Sequence, residues 1–372
     1  MLVSQPGDAG VAHVVADYVG WLVSAGWRVT VACRPDSRLA YLVGDRGGGV
    51  CAWSAGREPG PKLASECRRL QRIIAETDPE LVHLHSSKAG LVGRLTVRGR
   101  RPTVFQPHAW SFQAATSTQA VLARRWECYA THWTDLTICV SHAERQQGIR
   151  AGVRGPTTVL PNTVDLDRFH PPPDRVHARD QLLSSLGLPP GGPLALCVGR
   201  LSRQKGQDLL LAAWPRVLAA VPDAMLLLVG DGPDRVTLSR SAPSRVLLVG
   251  AVEDAWRWLR AADVVAVPSR WEGQALTVLE AMACATPVVA SNIAANAEAL
   301  PPAAGALVDA HDANQLATAL RERLTRTGRV DGAREGAAGR HHVITHHRPD
   351  QAAAQLAQLY DRVTHHAPGR GR

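Results

Sequence analysis

Short apolar runs alternate with helical patterns along the chain. Each run is brief and rich in Val, Leu and Ile, as buried strands are. The predicted strands begin with LVSQP and continue at 29–33, 81–85, 103–106, 136–140, 194–198, 225–229, 245–249, 263–267 and 287–290. A strand–helix–strand order of this kind is typical of parallel sheets with helices on both faces. The pattern therefore predicts an α/β fold built from doubly wound, Rossmann-like sheets.

The length and the breaks in the pattern divide the chain in two. At 372 residues the chain exceeds the usual size of one domain. The segment 170–193 carries PPP and PPGGP around one short helix, which predicts an interdomain linker. We expect one domain over 1–172 and a second over 190–345, each with its own sheet. If the two sheets face each other, the carboxyl ends of their strands line a cleft where ligands bind.

The end of the chain returns to a helical pattern after a break. The stretch AREGAAGRHHV at 333–343 lacks a clear amphipathic period, so we expect it to interrupt the helices. Over 349–365 the apolar residues Leu356, Leu359 and Tyr360 fall on one side of a helix. This period predicts a final helix that crosses back to the first domain.

Composition limits the class of protein. The chain is 45% hydrophobic and 20% charged, which is typical of a globular protein and excludes fibrous or disordered chains. No apolar run reaches the roughly 18–20 residues of a membrane span, and the first residues lack the basic and apolar regions of a signal peptide. We therefore expect a cytoplasmic location. The seven cysteines lie far apart without a CxxC pair, which argues against a disulfide framework or a zinc site.

The net charge of +9 indicates an anionic partner without identifying it. Nucleic acid, a phospholipid surface and a phosphorylated small molecule all fit this charge. Nucleic acid is the least favoured, because no aromatic RNA-binding motif, zinc finger or basic helical run is present. An arginine cluster beside Trp126 suggests a peripheral contact with the inner face of an anionic membrane, with ordinary exposed arginines as the alternative. The cluster comprises Arg94, Arg98, Arg100, Arg101, Arg124 and Arg125.

The stretch PSRWEGQALTVLEAMACATPVVAS at 268–291 carries the strongest chemical signal. It follows a predicted strand and opens a helix. The first backbone N–H groups of a helix have no partner within it and can bind phosphate. Here those groups belong to Gly273, Gln274, Ala275 and Leu276.

Two glutamates, Glu272 and Glu280, belong to the same stretch. Eight residues of helix span about 12 Å, whereas the acid–nucleophile pair of a retaining glycosidase lies ~5 Å apart. The spacing instead fits two carboxylates that accept hydrogen bonds from hydroxyls at the two ends of an extended ligand. An exposed pair that binds no ligand is the alternative.

A second chemical signal is the stretch CVGRLSRQKGQDLLLAAW at 197–214. It places Arg200 and Lys205 on a loop between a predicted strand and helix, where two cations can neutralise a diphosphate leaving group. Solvated loop charges are the alternative. Only three of the 42 basic residues are lysines, so a lysine at this position weakens that alternative.

These two stretches, together with LLLVGDGPD at 226–234, resemble the donor-binding half of glycosyltransferase family 4, a family of retaining enzymes with the GT-B fold. The resemblance implies that Glu272 contacts the donor sugar and Glu280 the ribose. It assigns the diphosphate to Arg200 and Lys205. The substrate it implies is a UDP- or GDP-sugar, with no metal and no cofactor.

The first half resembles the same family at its beginning. The stretch 7–33 matches the glycine loop and the helix that follows it. Gly10 would let the backbone approach the ligand there. Gly10 and Gly199 complete the expected donor-binding set.

Two further stretches of the first half, 83–94 and 106–112, match members that act on carriers of surface polysaccharide. His108 then corresponds to the histidine that reaches the donor sugar from the opposite domain. Ser87 and Lys88 are candidates for the acceptor site. A packed hydrogen-bonding histidine, and structural roles for Ser87 and Lys88, are the alternatives.

Three positions depart from the family pattern. Ala9, Thr163 and Ala285 stand where the family commonly has glycine. None of them is an expected phosphate contact, so they leave the implied activity in place.

The resemblance implies transfer of a hexosyl or N-acetylhexosaminyl group, with retention, to a lipid-linked glycan precursor of surface polysaccharide. A soluble small-molecule acceptor is one alternative, and an inactive sugar-nucleotide-binding protein is an alternative of another class. A dinucleotide dehydrogenase is disfavoured because Pro233 follows Gly232 and the third glycine of its fingerprint is missing. A pyridoxal-phosphate phosphorylase would need a Schiff-base lysine, and only Lys205 lies near the expected site.

Overall fold

The computed structural model describes residues 1–5, 10–56, 59–115 and 117–365. These residues form two compact units, and the chain passes from one to the other between Asn162 and Thr163. Unit 1 is Met1–Asn162 together with the chain from Asp350, and unit 2 is Thr163–Pro349. Each unit holds one parallel sheet, as the alternating pattern predicts.

Unit 1 has a seven-stranded sheet in the order β3-β2-β1-β4-β5-β6-β7. The strands are β1 (Leu2–Ser4), β2 (Thr30–Cys33), β3 (Gly49–Ala52), β4 (Val82–His85), β5 (Thr103–Gln106), β6 (Leu136–Cys139) and β7 (Thr157–Val159). The helices are α1 (Gly10–Ser24), α2 (Arg38–Asp45), α3 (Leu63–Thr77), α4 (Ser86–Val97), α5 (Ser111–Ala114), α6 (Ser117–Ala130), α7 (His142–Ala151) and, from the end of the chain, α16 (Pro349–His365). Strands β1, β4, β5 and β6 are buried along their whole length.

Unit 2 has a six-stranded sheet in the order β10-β9-β8-β11-β12-β13. The strands are β8 (Leu194–Val198), β9 (Met225–Val229), β10 (Val246–Gly250), β11 (Val264–Val267), β12 (Val288–Ser291) and β13 (Gly305–Val308). The helices are α8 (Arg175–Ser185), α9 (Gln207–Ala220), α10 (Arg235–Ser241), α11 (Ala255–Ala261), α12 (Leu276–Ala283), α13 (Ala294–Ala299), α14 (Ala313–Leu324) and α15 (Arg326–His346). Alternate residues of β8 enter two separate apolar cores, so both faces of this sheet are covered.

The predicted strands all occur, and the three that the pattern misses lie at the sheet edges. These are β3, β7 and β13. An edge strand pairs on one side only and is less covered, so its residues need not form an apolar run. Strand β3, for example, is exposed at three of its four positions.

The segment 170–193 is not a linker, contrary to expectation, but part of unit 2. The chain divides ahead of it, and α8 packs within the unit. Leu183 is fully buried in the apolar core. The Arg179 guanidinium pairs with the Asp263 carboxylate at 3.0 Å, both nearly buried. The prolines and glycines flank the helix without releasing the segment from the unit.

The interruption expected at 333–343 was also wrong, because α15 continues through it. Glycines weaken the amphipathic pattern there, and in the structure one of them allows a close contact between two backbones. A Cβ on Gly336 would lie 1.9 Å from the carbonyl oxygen of Ala285. The helix needs glycine at this contact because the two backbones touch, and tertiary packing outweighs the low helix propensity of glycine.

The final helix crosses back to unit 1, as predicted. Leu356, Leu359 and Tyr360 are buried on its packed side. The Tyr360 hydroxyl lies 2.6 Å from Nδ1 of His83 on β4. The C-terminal helix therefore contributes directly to the core of unit 1.

Candidate active site

In each unit the strand order reverses between the first strand and the fourth, which are β1 and β4 in unit 1 and β8 and β11 in unit 2. Ligands of doubly wound sheets bind outside the carboxyl ends of the strands at this switch point. In unit 2 the loop after β8 carries Arg200 and Lys205, and the loop after β11 carries Glu272. The strand order therefore brings the predicted donor residues of unit 2 together.

Lys205 and Glu272 form an ion pair between these two loops. Nζ of Lys205 lies 2.5 Å from Oε1 of Glu272. The glutamate side chain is only 7% exposed, whereas the lysine keeps 24% exposure. The lysine ends a 3₁₀ turn, Arg203–Lys205, and its stem lies over Gly199. The pair thus sets a positive and a negative group side by side at the switch point.

Further hydrogen bonds hold the two loops together. The amide of Arg270 donates to the carbonyl of Gln204 at 2.7 Å, and Nε2 of Gln204 donates to the carbonyl of Trp271 at 3.0 Å. The Arg270 guanidinium donates to both carboxylate oxygens of Asp208, at 2.8 and 2.6 Å. This bidentate pair raises the pKa of Arg270 and lowers the pKa of Asp208. These hydrogen bonds therefore link the two loops that carry the Lys205–Glu272 ion pair.

Glycines allow these loops to touch backbone to backbone. Gly206 has a φ of +68°, and a Cβ there would lie 2.0 Å from the carbonyl oxygen of Pro268. Gly230, in the VGDGPD stretch, has a φ of +139°, and its Cβ would lie 2.0 Å from the carbonyl oxygen of Gly199. Only glycine fits either position. The VGDGPD stretch therefore supports the loop of Arg200 from beneath.

Among the described residues, the side chain of Arg200 has no hydrogen-bonded or ion-paired partner. Partial burial lowers its pKa, and the negative charge of Asp234 opposes this shift. An arginine nevertheless stays charged at neutral pH. A fixed, charged and unpaired guanidinium is suited to an anionic ligand.

The helix predicted after Glu272 begins slightly later than expected. Helix α12 starts at Leu276 with Ala275 as its N-cap, and no side chain caps it. Gly273 and Gln274 lie in the loop before it and are buried. The positive end of the helix dipole nevertheless falls at the switch point.

Two other residues of α12 define the extent of the site. Oγ1 of Thr277 donates to the carbonyl oxygen of Val198 at 3.3 Å, which ties the start of the helix to the end of β8. Glu280 is half-buried farther along the helix. Glu272 and Glu280 therefore lie at two separate places along one loop–helix element, as their spacing predicts.

The expected site of unit 1 begins at Gly10, which is the first residue of α1. Residues 7–9 of the predicted glycine loop lie outside the described residues. Ser87 is half-buried in the first turn of α4, which follows β4. Gly10 and Ser87 thus lie in the first turns of the helices that follow β1 and β4, the two strands of the switch point of unit 1.

Lys88 lies in a buried ion pair. Its Nζ is 2.7 Å from Oε2 of Glu66, and the two side chains are only 1% and 6% exposed. Oε1 of the same glutamate accepts the amide N–H of Gly56 at 2.9 Å. This arrangement fits the structural alternative for Lys88 and leaves its charge inside the unit.

His108 lies in a turn of unusual backbone geometry. Its φ is +53°, and that of Ala109 is +91°. Ser86, at the end of the neighbouring strand, has a φ of +72°. Residues other than glycine rarely adopt such angles, and strained residues of this kind cluster at functional sites. The carboxyl ends of β4 and β5 therefore carry the strain expected of a site.

A second histidine holds the His108 ring. Nδ1 of His85 lies 3.1 Å from Nε2 of His108, and the two rings are stacked. The His85 ring lies 4.0 Å from that of His83, which contacts the Tyr360 hydroxyl. Because Nε2 of His108 is occupied, Nδ1 is the ring nitrogen that can bind a ligand.

Burial keeps this row of histidines uncharged. It lowers the pKa of His108 to about 3. It also lowers the pKa values of His83 and His85 well below the usual range, and the neighbouring histidines add to the effect. At neutral pH, His108 therefore offers a ligand a hydrogen bond and not a positive charge.

A buried carboxylate contacts the same turn. Glu144 is fully buried in the first turn of α7. It accepts the amide N–H of Ala109 at 2.5 Å and that of Val140 at 2.7 Å. The Ser141 hydroxyl accepts the amide N–H of Glu144 at 3.0 Å, and the Trp110 indole donates to the Glu144 carbonyl at 2.8 Å. The turn after β5 is thus fixed by α7.

Comparison with known proteins matches both units. Residues 9–168 match the model described as Glycosyltransferase Family 4, and residues 192–326 match the model described as Glycosyl transferases group 1. The chain is 33% identical over 325 residues to a GDP-mannose-dependent alpha-(1-6)-phosphatidylinositol monomannoside mannosyltransferase of Mycolicibacterium smegmatis, covering 81% of this chain and 80% of the relative. The present chain belongs to glycosyltransferase family 4. The resemblance found in the sequence is confirmed.

The chain is also similar to a second curated relative and to a solved structure. It is 30% identical over 240 residues to a UDP-Gal:alpha-D-GlcNAc-diphosphoundecaprenol alpha-1,3-galactosyltransferase of Escherichia coli, and the match covers 61% of each chain. The structure of Anabaena HepE in complex with UDP-glucose superposes with a TM-score of 0.81 at 23% identity, over 97% of this chain and 98% of that one. The fold is GT-B, as the resemblance implies.

One member of the arginine cluster expected to face a membrane is internal, whereas Arg98, Arg100, Arg124 and Arg125 are exposed. Arg94 is buried, pairs with Glu127 at 2.7 Å and lies over the Phe105 ring. Arg100 donates to carbonyl oxygens of its own helix, and Arg101 pairs with Asp78. The structure therefore removes Arg94 from the expected membrane surface, and the contact of the remaining arginines stays a prediction. No described helix has both the length and the apolar content to cross a membrane.

Sequence reasoning missed three side chains that shape the family 4 site. His85 and Glu144 hold the His108 turn, and Thr277 ties α12 to β8. The HLH spacing and the Ser-x-x-Glu capping signal before α7 were visible in the sequence. Neither signal shows which distant backbone group the side chain reaches. In the described part of the chain, no group of three or more His, Cys, Asp or Glu side chains is arranged to hold a metal ion.

Proposed function

We propose that this chain transfers a hexosyl or N-acetylhexosaminyl group from a UDP- or GDP-sugar to a hydroxyl of a lipid-linked glycan precursor of surface polysaccharide, with retention of configuration. The observation that carries the proposal is the Lys205–Glu272 pair at the switch point of unit 2, beside the unpaired Arg200 guanidinium. Two cations and a helix N-terminus at one place fit a diphosphate. A carboxylate beside them fits the hydroxyls of a sugar.

The proposed step uses the donor's own phosphate as the base. The bond between the anomeric carbon and the diphosphate oxygen breaks while the acceptor oxygen bonds to the same face of that carbon. The acceptor proton passes to the departing phosphate oxygen, so the step needs no protein nucleophile, metal or cofactor. Arg200, Lys205 and the start of α12 stabilise the charge that grows on the diphosphate.

The remaining residues orient the donor. In the proposal, Glu272 accepts hydrogen bonds from the sugar hydroxyls and Glu280 from the ribose hydroxyls. Nδ1 of His108 makes a neutral hydrogen bond to the donor sugar, because burial keeps its ring uncharged.

The choice of a lipid-linked acceptor draws on the relatives. The Mycolicibacterium relative is named for phosphatidylinositol monomannoside, and the Escherichia relative for a GlcNAc-diphosphoundecaprenol. Both names describe an acceptor that joins a sugar to a lipid. We carry this shared chemistry, and not either specific molecule, to the present chain.

The proposed contact with an anionic membrane, on its inner face, uses the surface of α6. Leu122 and Tyr129 are 64% and 56% exposed on this helix. The Tyr129 ring lies 5.2 Å from that of Trp133, and Arg125 is exposed beside them. Aromatic side chains with a nearby cation favour the interface of an anionic bilayer.

A panel of UDP- and GDP-sugars tests the proposed activity. We expect one nucleotide series to raise the melting temperature, and NMR of the product to show the donor's anomeric configuration. Lys205→Ala should abolish the thermal shift. Arg216→Ala, which removes an exposed arginine of α9, is the matched control and should keep it. No shift with any nucleotide sugar, or an inverted product, would contradict the proposal.

Co-sedimentation with vesicles tests the membrane contact separately. We expect the wild type to sediment with anionic vesicles at low salt and to stay in solution with neutral ones. Leu122→Glu with Tyr129→Glu should abolish sedimentation. Equal sedimentation of the variant, or none for the wild type, would contradict the α6 surface as the contact.

A further inference from the structure

The turn of His108 and Ala109 has a backbone that side chains disfavour. Both residues have positive φ values, and neither is glycine. A non-glycine residue in the left-handed region costs of order 1 kcal/mol. Two such residues in succession stay in place only if the surroundings hold them.

Glu144 is placed to hold this turn. Its carboxylate is fully buried, and Oε1 accepts the Ala109 amide N–H at 2.5 Å. The other oxygen, Oε2, accepts the amide N–H of Val140, at the end of β6, at 2.7 Å. One carboxylate thus ties the turn after β5 to the neighbouring strand. Hydrogen bonds from backbone N–H groups to a buried carboxylate are among the strong ones.

The carboxylate is itself fixed from two sides. The hydroxyl of Ser141, the N-cap of α7, accepts the Glu144 amide N–H. The Trp110 indole donates to the Glu144 carbonyl, so the residue after the turn is bound to the same helix. Glu144 therefore cannot shift without moving α7 or the turn. Through the Ala109 amide, the Glu144 carboxylate acts on the backbone that carries the His108 ring.

We propose that Glu144 is a positioning residue for His108: by holding the left-handed Ala109 amide, its carboxylate aims the Nδ1 atom of His108 at the donor sugar. This inference rests on the proposed function for the sugar contact, but not for the turn. His85 fixes the ring through Nε2, and Glu144 fixes the backbone that carries the ring. Together, these two contacts restrict both the ring orientation and the backbone of His108.

Glu144→Gln is the decisive variant, because the amide keeps the size of the side chain. Its amide oxygen can accept the N–H that one carboxylate oxygen accepted, but the NH₂ group in place of the other oxygen is a donor and cannot accept the second N–H. The matched control is Asp135→Asn. Asp135 accepts the amide N–H of Thr103 at 2.8 Å, at the opposite end of the same strand. Asn at position 135 can still accept this single N–H, so the control makes the same acid-to-amide change at the other end of β5 without the loss of a second acceptor.

Hydrogen exchange of the protein without substrate tests the turn by itself. We expect Glu144→Gln to speed exchange at least about 10-fold in the peptide that contains 106–110, while Asp135→Asn leaves that peptide unchanged. Unchanged exchange at 106–110 in the Glu144→Gln variant would overturn the inference, whether or not the protein turns over a nucleotide sugar.

A double-mutant cycle tests whether Glu144 acts through His108. We expect Glu144→Gln to lower kcat/KM for the donor about 10- to 100-fold, and Asp135→Asn to lower it less than about 2-fold. In a His108→Ala background, Glu144→Gln should add almost no further loss. An equal additional loss in that background would show a general structural role and overturn the inference. Absence of turnover in the wild type would instead count against the proposed function.

Discussion

Each unit contains an ion pair of a lysine with a glutamate, and the two pairs differ in how far solvent reaches the lysine. In unit 1 the Lys88–Glu66 pair is 1% and 6% exposed, whereas in unit 2 the lysine of the Lys205–Glu272 pair keeps 24% exposure. Burial turns the first pair into a structural link. The second remains reachable from solvent, and the unpaired Arg200 lies on the same loop. The comparison teaches that burial, and not the kind of residue, separates a structural lysine from a candidate catalytic one.

The units also differ in how they support their loops. In unit 2 the strained positions near the site are glycines, such as Gly206, and the site is charged. In unit 1 they are Ser86, His108 and Ala109, and the histidines there are uncharged. In unit 2 the charged site residues therefore lie on loops with little backbone strain. In unit 1 the uncharged His108 lies in a turn with a strained backbone.

Removing Lys88 should give the largest loss of stability. Lys88→Met leaves the buried Glu66 carboxylate without its cation, so we expect the free energy of unfolding to fall by about 3–5 kcal/mol. Lys205→Ala, at the more exposed pair, should cost about 1 kcal/mol or less. Urea unfolding of both variants measures the difference. Equal losses would remove the distinction between the two pairs.

Gly206→Ala should come next, by breaking the frame of unit 2. The new Cβ would overlap the Pro268 carbonyl oxygen, and φ would remain positive. We expect a loss of about 3 kcal/mol from overlap and strain. Gly26→Ala is a useful control, because Gly26 has a similar φ of +87° but nothing within 4 Å of the added Cβ. If both variants lose the same stability, close packing of the loops is not the cause.

The two units also show how much of the site could be predicted from the sequence. The charged residues and glycines of unit 2 can be recognised directly in the amino-acid sequence, so Arg200, Lys205 and Glu272 could be assigned to one site from the sequence. In unit 1 the support of His108 depends on the φ of Ala109 and on a carboxylate 35 residues away, which no local pattern encodes. The buried strands were likewise predicted, while the edge strands β3, β7 and β13 and the continuous helix α15 were not, because tertiary contacts decide them.

Acid should destabilise unit 1 through its histidines. The pKa values of His83, His85 and His108 are lower in the folded unit than the usual value of about 6.5 in an unfolded chain. Below that pH the unfolded chain binds more protons, so stability falls as the pH falls. One such histidine accounts for about 2 kcal/mol between pH 6.5 and 5. Hydrogen exchange in β4 and β5 should rise over this range, and unchanged exchange would contradict the neutral state of the histidines.

Ala285→Gly should give the smallest effect, and it should stabilise. Ala285 has a φ of +53°, a backbone angle that glycine adopts more readily than alanine. Relief of this strain, less the entropy that glycine adds to the unfolded chain, leaves about 0.5 kcal/mol in favour of the variant. Thermal unfolding measures it. A loss of stability would show that the methyl group of Ala285 packs more favourably than its backbone angle suggests.

The most direct test of the central claim is the turnover of the Arg200→Ala, Lys205→Ala double variant with the donor that the wild type uses. The account predicts that kcat falls by about 10³-fold or more, because the departing diphosphate loses both cations. Far-UV circular dichroism and the melting temperature should stay close to those of the wild type, since neither side chain supports the core. Wild-type turnover in this variant would contradict the claim that these two charges make the diphosphate a good leaving group.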